Sequence, residues 1–199
     1  MYKNEKTEWM DFWCDNADKE GKRVLLVGDS ISRDGYYHIV RDRLEGKYWV
    51  DRCSLSTGID NPLLLNALDM FIKHSGAKYE YIHFNNGLHA GYIKSNEFGV
   101  HFERVARYIR ETAPESKLIF GLCTPYRGNP DESGFGEFNA EVIKRNAEIS
   151  KVGEKLGIKV NDLYSCIIDN GIMPYDGVHY KEDGWVALGN MVADSILAE

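Results

Sequence analysis

The sequence predicts a three-layer α/β/α fold: a flavodoxin-like parallel sheet of about five strands, covered by helices on both faces. Three observations carry this. Short apolar runs of the kind that fill doubly covered strands alternate with segments of helical period. The 199 residues are enough for one domain with a sizeable core. Small and polar residues, Gly28-Asp29-Ser30 and Asn85-Asn86, follow the first and third strand runs, where an open α/β sheet places its ligand.

Taken in chain order, residues 1–21 read as a helical N-terminal extension that Trp9, Phe12 and Trp13 pack onto a body of residues 22–199. Arg23 to Val27 is the first strand, short and largely apolar. Asp34 to Leu44 is helical, with Tyr37, Val40, Arg41 and Leu44 at helical spacing. Tyr48 to Arg52 is the second strand. Pro62 to His74 is a helix, with Asn61 as N-cap and proline at the first helical position. Tyr79 to Phe84 is the third strand, and Glu97 to Thr112 a helix stopped near Pro114. Lys117 to Leu122 is the fourth strand, and Glu137 to Leu156 a long helix ending at Gly157. Ile158 to Val160 is the fifth strand, and Glu182 to Leu197 the closing helix. The expected strand order is 2-1-3-4-5. The Gly/Pro-rich stretch from Thr124 to Phe138 follows strand four and reads as a rim loop.

Composition narrows the function classes. A net charge of −7 argues against general nucleic-acid binding, which needs a basic face. No apolar stretch approaches the ~20 residues of a membrane span. The polar start, Met1 to Thr7, has no signal-peptide apolar region, so a cytoplasmic location is expected unless an export signal has been removed. Cys14, Cys53, Cys123 and Cys166 are scattered, without a Cys-x-x-Cys pair, and read as free thiols.

Two segments at opposite ends carry the chemistry. Val24-Leu25-Leu26-Val27 leads into Gly28-Asp29-Ser30, and Tyr175-Asp176-Gly177-Val178-His179-Tyr180 sets an aspartate three residues before a histidine. A serine hydroxyl is a weak nucleophile that needs a base within hydrogen-bond reach, and a carboxylate orients that base and stabilises its imidazolium. Either segment alone has a plainer reading: a turn after a strand, or a cap or ion pair. Ser32 competes with Ser30 for the nucleophile role but reads as a helix N-cap.

The chain resembles the SGNH (GDSL-type) hydrolases. The resemblance rests on Gly28-Asp29-Ser30 after a first strand and Asp176-Gly177-Val178-His179 before a last helix. Ser54-Leu55-Ser56-Thr57-Gly58 is similar to the family's second block. It implies Ser30 as nucleophile, His179 as base and Asp176 as its orienting partner. It also implies an oxyanion hole from the N–H groups of Ser30 and Gly58 and an asparagine amide. The family's third block, usually Gly-x-Asn-Asp, is replaced by Phe84-Asn85-Asn86-Gly87-Leu88-His89. Asn86 is the expected third donor, since it lies farther past the strand and Gly87 lets the chain turn. Asn85 is the alternative, or holds the loop. Tyr126, Tyr175 and His89 are expected near substrate.

The implied activity is a serine ester hydrolase acting on small acyl esters, such as acetylated carbohydrates, with no cofactor and no metal. The alternatives are a non-catalytic carbohydrate- or ligand-binding module on the same fold, and a metal-dependent hydrolase using Asp176, His179 and His89.

Overall fold

The computed structural model describes residues 2–131 and 133–198. Met1 and Glu199, the outer limits of the two expected units, and Glu132 of the expected rim loop lie outside the described residues. Six strands form one sheet: β1 Met10–Trp13, β2 Arg23–Gly28, β3 Trp49–Leu55, β4 Tyr79–Phe84, β5 Lys117–Gly121 and β6 Lys159–Asn161. Their order is β1-β3-β2-β4-β5-β6. Strands β2 to β6 are parallel and follow the expected 2-1-3-4-5 order.

Every residue of β2 is buried, as an apolar run covered on both faces requires. Alternate side chains supply two cores. Leu25, Val27, Ile82, Phe84 and Phe120 face α2 Pro62–Asp69, α3 Ser95–Thr112 and α4 Phe138–Leu156. Val24, Leu26, Val50, Tyr81 and Ile119 face α1 Tyr37–Leu44, α5 Leu163–Asp169 and α6 Glu182–Leu197. Each such apolar side chain contributes roughly 1.5–3 kcal/mol when fully buried.

Asn61 caps α2 as its sequence predicts, accepting from Leu63 N–H at 3.0 Å. Two helical runs are wider than expected. Ile31–Tyr36 and Met70–His74 are wound as π-helix, leading into α1 and out of α2. Helix α5 is an addition; its sequence signal is Asp162, whose carboxylate accepts from Ser165 N–H at 2.9 Å as an N-cap.

The N-terminal segment corrects an expectation. Residues 10–13 form not a helix but an antiparallel strand, pairing Met10 with Leu55 and Trp13 with Arg52. The aromatic pair Phe12-Trp13 suits a half-covered strand, and β1 satisfies the outer backbone groups of β3 that a helix would leave bare. Phe12 packs edge-on against Phe71 at 5.4 Å, and Asp11 pairs with Arg52. No helix among the described residues is long and apolar enough to cross a membrane.

Candidate active site

The carboxyl ends of β2, β3 and β4 open toward one region. Strand β2 ends at Gly28, and the chain turns at once into the helical run that begins at Ile31. The turn is set by Asp29, buried, whose Oδ1 accepts from Ile31 N–H at 2.9 Å. Ser30 occupies the cap position of that helical run. Ser32 is not an N-cap: it lies inside the helical run, buried, with its hydroxyl on Asp29 O at 2.8 Å and beside Ser54 Oγ at 3.3 Å. Helix geometry places a serine two residues past the turn toward the sheet, where its hydroxyl is absorbed by backbone.

Ser30 Oγ lies 2.8 Å from His179 Nε2, and His179 Nδ1 lies 2.8 Å from Asp176 Oδ2. Asp176 Oδ1 accepts from the N–H groups of Val178 and His179 at 3.0 and 2.7 Å. Partial burial pushes the Asp176 carboxyl up, but the N–H and ring of His179 and the N–H of Val178 outweigh it and hold the group below the usual carboxylate range. It is therefore ionised at neutral pH. The structure thus brings together three residues that the sequence separates by 149 positions.

The turn that carries Asp176 and His179 is tied to the rim loop. Arg127 and Gly128 both donate their N–H to Gly177 O at 2.9 Å, and the Arg127 guanidinium donates to Pro174 O at 3.1 Å. Gly177 has φ +98°, and a Cβ there would sit 1.8 Å from Gly128 O, so only glycine fits. Tyr180 donates its hydroxyl to Pro125 O at 2.9 Å. Tyr175 is exposed on this turn, while Tyr126 is half-buried with its ring edge-on to Phe138.

The start of the loop after β4, Asn85 to Gly87, is buried. Asn85 donates both amide protons to backbone, at 2.8 Å to Gly121 O and 3.1 Å to Leu122 O. Asn86 donates to Thr57 O at 3.1 Å, which ties it to the loop carrying Gly58. Gly58 is buried; a Cβ there would meet the Ala90 methyl at 2.4 Å. The loop's backbone is gripped by Arg145, fully buried on α4. Its Nη1 donates to Gly87 O and His89 O at 2.8 Å, and its Nη2 to Ala90 O at 2.9 Å and Ile93 O at 2.8 Å. Sequence reasoning missed Arg145. Its signal was a lone charge on a helix face that otherwise carries Asn139, Val142, Asn146, Ile149 and Val152.

His89 is part-buried: its Nδ1 lies 3.1 Å from Glu5 Oε2, and Glu5 Oε1 accepts from Ala90 N–H at 3.0 Å. Burial works against a charged His89, yet the Glu5 bond and the carboxylates of Asp29, Glu5 and Glu8 raise its pKa above the ordinary value. The same bond holds Glu5 below the usual range against its own desolvation. Among the described residues, no three His, Cys, Asp or Glu side chains gather into a group that would hold a metal ion.

No protein-family model matches the chain, and no curated protein sequence matches it. Solved structures do resemble it. A lipolytic G-D-S-L family member from Veillonella parvula DSM 2008 superposes with a TM-score of 0.71 at 15% identity, covering 90% of this chain and 100% of that one. The acetyl xylan esterase AlAXEase gives a TM-score of 0.71 at 14% identity over 87% of this chain and 99% of its own. An acetylxylan esterase from Geobacillus stearothermophilus gives 0.71 at 12% identity over 88% and 94%. Such identities carry the fold: this chain has the three-layer architecture of the GDSL-type hydrolases along nearly its whole length.

Proposed function

We propose, from a fold shared with GDSL-type hydrolases, that this protein is a serine ester hydrolase. One observation carries the reading. Ser30, His179 and Asp176 form a hydrogen-bonded chain, each link 2.8 Å long, at the end of the sheet where such folds act.

In the proposed reaction Ser30 Oγ attacks the ester carbonyl while His179 Nε2 takes the hydroxyl proton. Asp176 holds Nδ1–H and stabilises the imidazolium. The tetrahedral oxyanion is met by the N–H groups of Ser30 and Gly58 and by Asn86 Nδ2, which has a second proton beyond the one on Thr57 O. Collapse expels the alcohol, protonated by His179, and leaves an acyl-serine. Water, deprotonated by His179, then releases the acid and restores Ser30. The use of both Asn85 amide protons by backbone favours Asn86 as the donor.

The substrate class we infer is a small acyl ester, with acetylated carbohydrate as the leading candidate. Two neighbours in fold are named acetylxylan esterases, and the exposed ring of Tyr175 beside the relay offers a stacking surface for a sugar. The test is hydrolysis of p-nitrophenyl acetate by wild type and Ser30→Ala, with and without a chelator, plus mass spectrometry after a serine-directed phosphonate. Turnover that resists chelation, is lost in Ser30→Ala and leaves an adduct on Ser30 is expected. An adduct on Ser32 or Ser56 rejects the assignment, and activity restored only by added metal rejects the mechanism. Absence of turnover with intact carbohydrate binding favours the non-catalytic module.

A further inference from the structure

The N-terminal segment does more than cover a sheet edge: it reaches across the loops that follow β3 and β4. Trp9 exchanges backbone bonds with Ser56, donating to its hydroxyl at 2.8 Å and accepting from its N–H at 3.1 Å. Glu5 then grips the loop after β4, accepting from Ala90 N–H at 3.0 Å and bonding His89 Nδ1 at 3.1 Å. Ala90 is the point of leverage. It holds φ +55°, a left-handed conformation that a non-glycine residue adopts at a cost of about 1–2 kcal/mol. Its amide is fixed from both sides, the N–H by Glu5 and the carbonyl by Arg145 at 2.9 Å. Its methyl occupies the space beside Gly58.

We propose that Glu5 is a positioning residue for the oxyanion hole: it locks Ala90 in its strained conformation, and Ala90 in turn sets the orientation of the Gly58 N–H. The inference rests on the esterase reading. Glu5 touches no reacting atom; it acts through two loop residues. An oxyanion donor must be aimed before charge develops, since realignment during the reaction forfeits most of its value. Two covalently distant grips, from Glu5 and Arg145, give a strained residue a single position.

The test compares wild type, Glu5→Ala and Glu5→Gln. Glutamine keeps an oxygen for Ala90 N–H and an NH2 for an unprotonated His89 Nδ1; alanine keeps neither. With p-nitrophenyl acetate, Glu5→Ala is expected to lower kcat by about 10–100-fold, less than outright loss of a donor, with KM within about twofold of wild type. Glu5→Gln is expected to recover most of kcat. Hydrogen exchange supplies a readout that needs no turnover: in Glu5→Ala, amides of residues 56–60 and 86–93 exchange faster while those of β2 and β4 do not. Unchanged kcat in Glu5→Ala overturns the proposal, as does a Glu5→Gln variant as slow as alanine or loop exchange identical to wild type. Wild type that fails to turn over an ester while Glu5→Ala still loosens the loops removes the esterase reading and leaves Glu5 a structural clamp, which overturns its positioning role.

Discussion

On one side of the candidate site, Asp176 and His179 sit on a turn where their side chains are 39% and 30% exposed, held by backbone bonds to the Arg127–Gly128 loop. On the other side, Asn85, Asn86 and Gly58 are buried, and one buried guanidinium closes four carbonyls behind them. The difference follows from what each side would do. A base must exchange protons with substrate and water, so it needs an approach path and small freedom of the ring. An oxyanion donor works only by being already in place, so it gains from rigidity and from a low local dielectric. The sheet positions both: β2 ends beside β3 and β4, so Ser30 and the buried loops start from neighbouring strand ends, while the Asp176–His179 turn comes to Ser30 from the segment ahead of α6.

If this division holds, breaking the relay should hurt most. Ser30→Ala and His179→Ala should each lower kcat by about 10⁴–10⁶, and the double variant should be no slower than either, because the pair acts as a unit. Additive losses measured in that cycle would break the comparison. Asp176→Ala should cost less, about 10³–10⁴ in kcat, since the base survives but loses its orientation and counter-charge.

The buried side should separate two adjacent asparagines. Asn86→Ala should lower kcat by about 10²–10³ with little change in KM. Asn85→Ala should leave kcat near wild type and lower stability by about 1–3 kcal/mol, because the Gly121 and Leu122 carbonyls lose their donor. Steady-state kinetics with thermal melts on both variants decide it; the reverse pattern reassigns the donor to Asn85.

The smallest effect concerns the strand that leads into the buried loop. His83, wholly buried in β4, is pushed by burial down to about 4, so the folded protein holds it neutral at pH 7. The unfolded chain protonates it near its ordinary value of 6.5. Stability from this residue is complete above about pH 6.5 and falls as pH drops toward 4, by on the order of 3 kcal/mol in all. Denaturant melts from pH 7 to 4 should show that slope, and His83→Gln should flatten it.

How much of this was legible in the sequence differs between the two sides. Ser30 and the Asp176–His179 turn were readable because each is a local pattern whose chemistry needs those residue types. Strands β2 to β6 were readable because short strand-like runs alternate with helical segments, and their order follows from the flavodoxin-like sheet that this alternation implies. The π-wound turn after Ser30 and the inward Ser32 were not, because winding is settled by packing. Arg145 and Glu5 were hidden for a shared reason: their partners lie 52–58 and 84–85 positions away and, the His89 ring apart, are backbone groups that carry no side-chain signature. Strand β1 was misread as helix because only the bare edge of β3, absent from any local window, decides its conformation.

The position of α6 has a consequence in time. His179 lies just ahead of this helix, whose Leu188, Val192 and Ile196 pack with Val40 and Leu44 of α1, while Arg43 bonds Asn190 and Asp194 at 2.7 and 2.6 Å. During synthesis Ser30 leaves the ribosome 149 residues before His179, a lag of roughly 7–30 s at ordinary elongation rates. On the proposed mechanism, the nascent chain carries a serine with no partner to activate it until His179 has been made and its turn is in place. Ester turnover would then report the arrival of the C-terminal segment, and chains cut short before His179 are expected to be inert.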